Sequence, residues 1–89
     1  MEPARIAALL DEGERAEART MLDAALIDAH RSGNAHLLCS LHRLAARFWK
    51  ADEDAEAFHL THAYVFALEA GDTAQVAALH AALAERGRI

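Results

Sequence analysis

Five polar residues recur at steps of four, three, four and three, and they are His36, Ser40, Arg43, Arg47 and Lys50. Side chains at such steps lie on one face of an α-helix. Three cations on one face of an acidic protein can hold carboxylates, and arginine can do so with two parallel hydrogen bonds. We therefore predict that this stripe binds a partner. The alternative interpretation is a solvated face whose cations pair with the acids at Asp52 to Asp54.

A second candidate for chemistry is the pattern Glu56-x-x-His59-x-x-His62, because Glu-x-x-His occurs at metal sites inside helical bundles. Such a site needs further carboxylates and normally a second copy of the motif, which this chain lacks. A symmetric homodimer could supply that copy, so a small metal-binding helical bundle is the alternative function. A structural repeat explains Glu56 equally well, and we predict no metal and no other cofactor.

No arrangement typical of an enzyme occurs in the sequence. Cys39 lies mid-helix between leucines, which is typical of a small buried side chain. The only serines, Ser32 and Ser40, are not in a nucleophile-elbow context. There is no glycine-rich phosphate loop, so we predict a protein without catalytic activity.

Length, composition and charge further limit the classes of protein to which the chain can belong. The chain has 89 residues, a formal charge of −5 and one cysteine, and 54% of its residues are hydrophobic. This length suits one domain, residues 1–89. The negative charge argues against binding to nucleic acid or to acidic membranes. The first residues lack the features of a signal peptide, and no apolar run reaches the length of a membrane span, so we expect a cytoplasmic protein.

The elements that carry these residues are predicted to be five helices, which makes the fold all-α. The single proline and the four glycines all lie outside the periodic apolar segments. Apolar spacing and end signals place the helices at about 3–10, 14–31, 35–51, 52–70 and 73–86. The fourth helix is apolar nearly all round its last turns, so we expect it to be buried on more than one side.

The chain also contains an internal repeat. Aligning residues 14–47 with residues 53–86, a shift of 39, gives nine identical pairs. Chance would give about four at this composition. The dipeptides Gly33-Asn34 and Gly71-Asp72 lie 38 residues apart. Ala18 and Ala57 hold equivalent places, where a small side chain allows neighbouring helices to approach closely.

One stretch of this repeat combines a Leu-small pair, an aromatic residue, a turn, small residues and a closing turn. Its residues are Leu44-Ala45, Phe48, Asp52-Glu53, Ala55, Ala57, and Ala67-Leu68 with Ala70-Gly71-Asp72. The pattern resembles that of the tetratricopeptide-repeat family of helical solenoids. It departs from the family in its period, which is near 39 rather than about 34. Ala45 also stands where glycine usually follows the leucine, and the closing proline is absent.

The resemblance implies stacked helix-turn-helix pairs that bind a protein or peptide. In that family the first helix of a pair lines a concave groove for extended peptides, and the polar stripe would lie there. Longer helices of this kind are similar to the solenoid segments of some bacterial regulators. The chain, however, shows no DNA-binding or nucleotide-binding motif.

The aromatic residues suggest a second surface. Most of them should belong to the core, but Trp49 and Phe66 could lie at an interface, where large aromatic side chains dominate binding energy. Repeat arrays usually need about three units to bury a continuous core, and this chain has fewer. We therefore expect a homo-oligomer, with the fourth helix as the covered surface.

Overall fold

The structure, a computed structural model, describes residues 2–89 and is all-α, as predicted. Its five helices are α1 (Glu2–Asp11), α2 (Arg15–Ser32), α3 (Ala35–Phe48), α4 (Glu53–Ala70) and α5 (Thr73–Glu85). Each helix packs against the next one along the chain, and α1 also contacts α3. No helix in this part of the chain has the length and apolar character needed to cross a bilayer.

Two equivalent turns join α2 to α3 and α4 to α5. Gly33 and Gly71 both end their helix with φ near 68°, in the left-handed region that favours glycine. The next residue caps the following helix: Asn34 accepts a hydrogen bond from the Leu37 N–H, and Asp72 accepts one from the Gln75 N–H, both at 3.1 Å. These turns confirm the stop and start signals in the sequence.

The turn between α3 and α4 corrects one predicted boundary. We expected the third helix to reach Ala51, but α3 ends at Phe48. The Asp52 N–H donates to the Trp49 carbonyl at 2.8 Å, and the Asp52 side chain accepts from the Ala55 N–H at 3.1 Å. Asp52 therefore caps the N-terminus of α4, and a tight turn precedes it. Lys50 consequently lies in this turn and not on the helix.

The apolar side chains form two clusters that meet at α3. The first joins α1, α2 and α3, and its buried members are Ile6, Leu22, Ala29, Leu38, Leu41, Ala45 and Phe48. The second joins α3, α4 and α5, and its buried members are Cys39, Ala46, Leu60, Ala63, Ala67, Leu79 and Leu83. Because α3 contributes to both clusters, it is the central helix of the molecule.

The structural repeat has a period of 38 residues, which is one residue shorter than the shift of 39 used to align the sequence with itself. The bounds of α2, Arg15–Ser32, become those of α4, Glu53–Ala70, when 38 is added. Buried residues also recur at this spacing, including Leu22 with Leu60 and Leu41 with Leu79. Ala18 and Ala57 are both buried, although they lie 39 residues apart. The structure therefore repeats in helix bounds and burial more regularly than in residue identity.

The fourth helix is buried on only part of its circumference. It packs against α3 and α5 and buries small residues and one leucine. Phe58, Val65 and Leu68 are each about half exposed on its outer side. With Thr61 between them, these residues follow steps of three, four and three. We call Phe58, Val65 and Leu68 the outer α4 stripe.

Candidate binding groove

A groove made of two adjoining parts runs along α3 beside α1, and one of these parts also reaches α5. One part of it has a volume of about 490 Å³ and is lined by Pro3, Ala4, Ser40, Arg43, Leu44, Arg47 and Gln75. The other part has a volume of about 410 Å³ and is lined by Glu2, Pro3, Asn34, His36, Leu37 and Ser40. Pro3 and Ser40 belong to both parts. The groove therefore follows the exposed face of α3 for most of its length.

The structure brings four of the five predicted partner-binding residues into this groove. His36, Ser40, Arg43 and Arg47 line it, and each of them is exposed. Lys50 is not among the lining residues, because α3 has already ended at Phe48. The first four residues of the stripe therefore lie on one face of α3, as their spacing predicted. Lys50 lies in the turn that follows this helix.

The basic side chains of the groove differ in the acidic side chains that lie near them. Arg47 forms an ion pair with Asp11 of α1, and both side chains are substantially exposed. Nδ1 of His36 lies 3.8 Å from a carboxylate oxygen of Asp72. The acids at Asp52 to Asp54, which were the expected partners of a merely solvated face, do not pair with these residues within the described part of the chain.

Arg43 is the cation with the least compensation. Its guanidinium donates a hydrogen bond to the side-chain oxygen of Gln75 on α5, which is a neutral acceptor. Across residues 2–89, no carboxylate forms an ion pair with Arg43. A full positive charge is therefore held in position across the groove, beside the half-buried apolar side chain of Leu44.

Neither of the predicted interface aromatics is fully exposed. Trp49 is partly buried against the first apolar cluster, and its ring meets that of Phe48 edge to face at 5.1 Å. Phe66 packs against both clusters and stacks on His42 at 5.6 Å. The large exposed apolar side chains of α4 are instead those of the outer α4 stripe.

The predicted metal motif is divided between two environments. Glu56 receives a hydrogen bond from Nε of Arg86 at 2.8 Å, and this bond raises the pKa of the arginine. His59 and His62 instead lie near His42 of α3, with ring centroids 5.4 and 5.1 Å from it. Within residues 2–89, no group of three or more potential ligands is arranged to hold a metal ion.

A cluster of four histidines, which the sequence analysis did not identify, lies where α2, α3 and α4 meet. We call His30, His42, His59 and His62 the histidine cluster. His42 is buried at its centre, and its Nδ1 lies 3.2 Å from Nδ1 of His59. His62 uses its own Nδ1 to donate to the Phe58 carbonyl at 2.9 Å. His42 follows the apolar face of α3, whereas the predicted stripe follows the opposite face.

Burial and repulsion by neighbouring imidazoles favour the neutral forms of His42 and His59. Burial lowers the pKa of His42 most, and the neighbouring His59, His62 and His30 add to this effect in that order, so that the pKa lies at about 4. The pKa of His59 is also lowered, first by burial and then by His62. A buried imidazolium here would lack both water and a counter-ion.

Cys39 is a free, buried thiol on the same side of α3. Burial raises its pKa, and the nearby Asp72 carboxylate acts in the same direction, while Arg43 opposes them. A thiol with a raised pKa is a poor nucleophile. The burial of Cys39 confirms the prediction that it is a small buried side chain.

Comparisons with known proteins give no further assignment. The chain matches no protein-family model, no curated protein and no solved structure.

Proposed function

We propose that the chain is a non-catalytic interaction module of tetratricopeptide-like type, and that its groove holds an extended peptide bearing a carboxylate. The observation that carries the proposal is the two-part groove along α3, with exposed Ser40 and Arg43 inside it. An extended peptide offers free backbone hydrogen-bonding groups, which Ser40 and Gln75 can satisfy. A carboxylate can accept from the Arg43 guanidinium.

The geometry of the helices supports the tetratricopeptide-like part of the proposal. The groove is lined by α1, α3 and α5, which are alternate helices of the chain. Together with the 38-residue period, this shared surface supports an arrangement in which α1, α3 and α5 are the first helices of successive pairs. Stacked pairs of this kind create extended concave surfaces.

Electrostatics favour an acidic peptide over a basic one. Within residues 2–89, the Arg43 guanidinium donates to a neutral amide and forms no ion pair, so it gains a counter-ion when a carboxylate arrives. The exposed Arg47–Asp11 pair is of a kind that contributes about 0–1 kcal/mol, so a peptide carboxylate can replace Asp11 at low cost. The overall charge of −5 repels a peptide with few carboxylates less than it repels a polyanion such as a nucleic acid, so a short acidic peptide is the proposed partner.

A peptide selection tests this proposal. The chain is immobilised at pH 7.5 and exposed to a library of random extended peptides. The same selection is run on Arg43→Glu and on the control Arg31→Glu, which changes an exposed arginine on α2 outside the groove. We expect acidic peptides to be enriched by the unmodified chain and by the control, and lost with Arg43→Glu. No enrichment, or equal enrichment by all three proteins, would overturn the proposal.

A further inference from the structure

The histidine cluster lies at the junction between the two halves of the molecule. His42 is 5% exposed, and three other imidazole rings surround it. Their centroids lie 5.1 Å (His62), 5.4 Å (His59) and 5.6 Å (His30) from that of His42. Two of these rings come from α4 and one from the last turn of α2. The cluster therefore joins α4 to α2 and α3.

The histidine cluster has no acidic partner in an ion pair within residues 2–89. The titratable groups facing His42 are His30 from α2 and His59 and His62 from α4, and none of these imidazoles supplies a negative charge that would balance a protonated His42. On α3 itself the nearby titratable side chain is the Cys39 thiol. None of the ion pairs within residues 2–89 includes a member of the histidine cluster. Protonation therefore adds like charges at a buried contact, where repulsion is weakly screened.

The hydrogen bond between α3 and α4 also depends on protonation. The contact of 3.2 Å between Nδ1 of His42 and Nδ1 of His59 requires one nitrogen to donate and the other to accept. When both rings are protonated, both nitrogens are donors and the bond is lost. Among the residues that the structure describes, His42 Nε2 is buried without a hydrogen-bond partner. A proton on this second nitrogen would therefore also lack an acceptor.

The groove depends on this junction. It takes Ser40 and Arg43 from α3, and Gln75 from α5. The backbone of α5 packs along α4 and not along α3, and α5 reaches α3 through side chains such as Gln75. A displacement of α4 away from α3 therefore carries α5 with it and removes one wall of the groove.

We propose that the histidine cluster is an acid-sensitive joint, and that its protonation separates the α4–α5 hairpin from α1–α3 and opens the groove. The link to the groove rests on the proposed function, whereas the joint itself does not. The direction follows from linkage, since a histidine that is harder to protonate in the folded state gives full stability above its unfolded pKa. That stability is lost as the pH falls from about 6.5 towards the folded value of about 4.

Two spin labels measure the opening without any peptide. They are placed at the exposed positions Ala8 on α1 and Ala78 on α5, by Ala8→Cys and Ala78→Cys in a Cys39→Ala background. Between pH 7.5 and 4.5 we expect the distance between labels to increase and broaden, while far-ultraviolet circular dichroism retains the helical signal. His42→Phe, which fills the space with an uncharged ring, should keep the neutral-pH distance. His80→Phe, outside the cluster, should behave like the parent protein.

Urea unfolding of the same variants gives the thermodynamic readout. Relative to His42→Phe, the unfolding constant of the parent should rise about 70-fold between pH 7.5 and 4.5. His42→Gln provides a second variant, since its amide can partner His59 and carries no charge. An unchanged distance in the parent, a change shared by both His42 variants, or loss of all helical signal at pH 4.5 would overturn the proposal. Peptide binding at neutral pH is measured separately, so either idea can fail alone.

Discussion

At the scale of the residue, burial sets the protonation state of two side chains on α3, His42 and Cys39. Both lie on the side of α3 that faces α4, and both are at least 95% buried. Burial lowers the pKa of the histidine and raises that of the thiol, because it disfavours the charged form of each group. Each side chain is therefore held in its neutral form near pH 7.

The reactivity of Cys39 follows from this environment. We expect labelling by a disulfide reagent at pH 8 to be at least about tenfold slower in the folded protein than in 6 M guanidinium, because the folded thiol is buried and less ionised. The release of the coloured thiol from the reagent gives both rates. Equal rates in the two conditions would show that Cys39 is accessible in the folded protein.

The burial and placement of some of these residues could be predicted from the sequence, whereas the contacts of others could not. The burial of Cys39 followed from its leucine neighbours, and four stripe residues were correctly placed on one face. His42 also lies on the apolar side of α3, which was a signal of burial. Its pairing with His59 could not be predicted, because it depends on how α3 and α4 are aligned in space.

At the scale of the element, helix ends with a glycine and a capping side chain were well predicted. Gly33-Asn34 and Gly71-Asp72 both carry local signals, and their turns are equivalent. The predicted end of α3 lay three residues too late, because no glycine marks the end of this helix. There the guanidinium of Arg15, which is 33 residues away, donates to the Phe48 carbonyl at 3.1 Å. A contact this distant in sequence leaves no local signal.

The central position of α3 leads to a stability prediction. Leu41 is 0% exposed in the first apolar cluster, whereas Leu68 on α4 is 53% exposed. We expect Leu41→Ala to lower the free energy of unfolding by about 2–5 kcal/mol, since it leaves a cavity in the core. Leu68→Ala serves as the matched control and should change it by less than about 1 kcal/mol. Urea unfolding measures both, and equal effects would contradict the assigned role of α3.

At the scale of the whole molecule, the two apolar clusters leave one part of α4 uncovered. Phe58, Val65 and Leu68 keep the spacing of a helix-packing seam while remaining about half exposed. The predicted interface residue Phe66 is partly buried against both apolar clusters, so a charged substitution there would also disturb folding. The outer α4 stripe is therefore the better surface on which to test self-association.

We predict a homo-oligomer that uses this surface. Light scattering coupled to size-exclusion chromatography should show a mass above 9.7 kDa that rises with protein concentration. Val65→Glu should return the protein to a monomer without loss of helical signal, because it places a charge on the exposed stripe. A control change at the exposed Ala24 of α2, Ala24→Glu, should leave the mass unaltered. A monomer at every concentration would contradict the prediction.

The claim that the α3 groove binds an acidic peptide is tested most directly by nuclear magnetic resonance. An acidic peptide from the selection is added to ¹⁵N-labelled protein at pH 7.5, and amide shifts are followed for the unmodified chain and for Arg43→Glu. We predict saturable shifts centred on Ser40, Arg43, Leu44 and Gln75, and their loss in the variant. Shifts confined to the outer α4 stripe, or equal shifts in the variant, would contradict the claim.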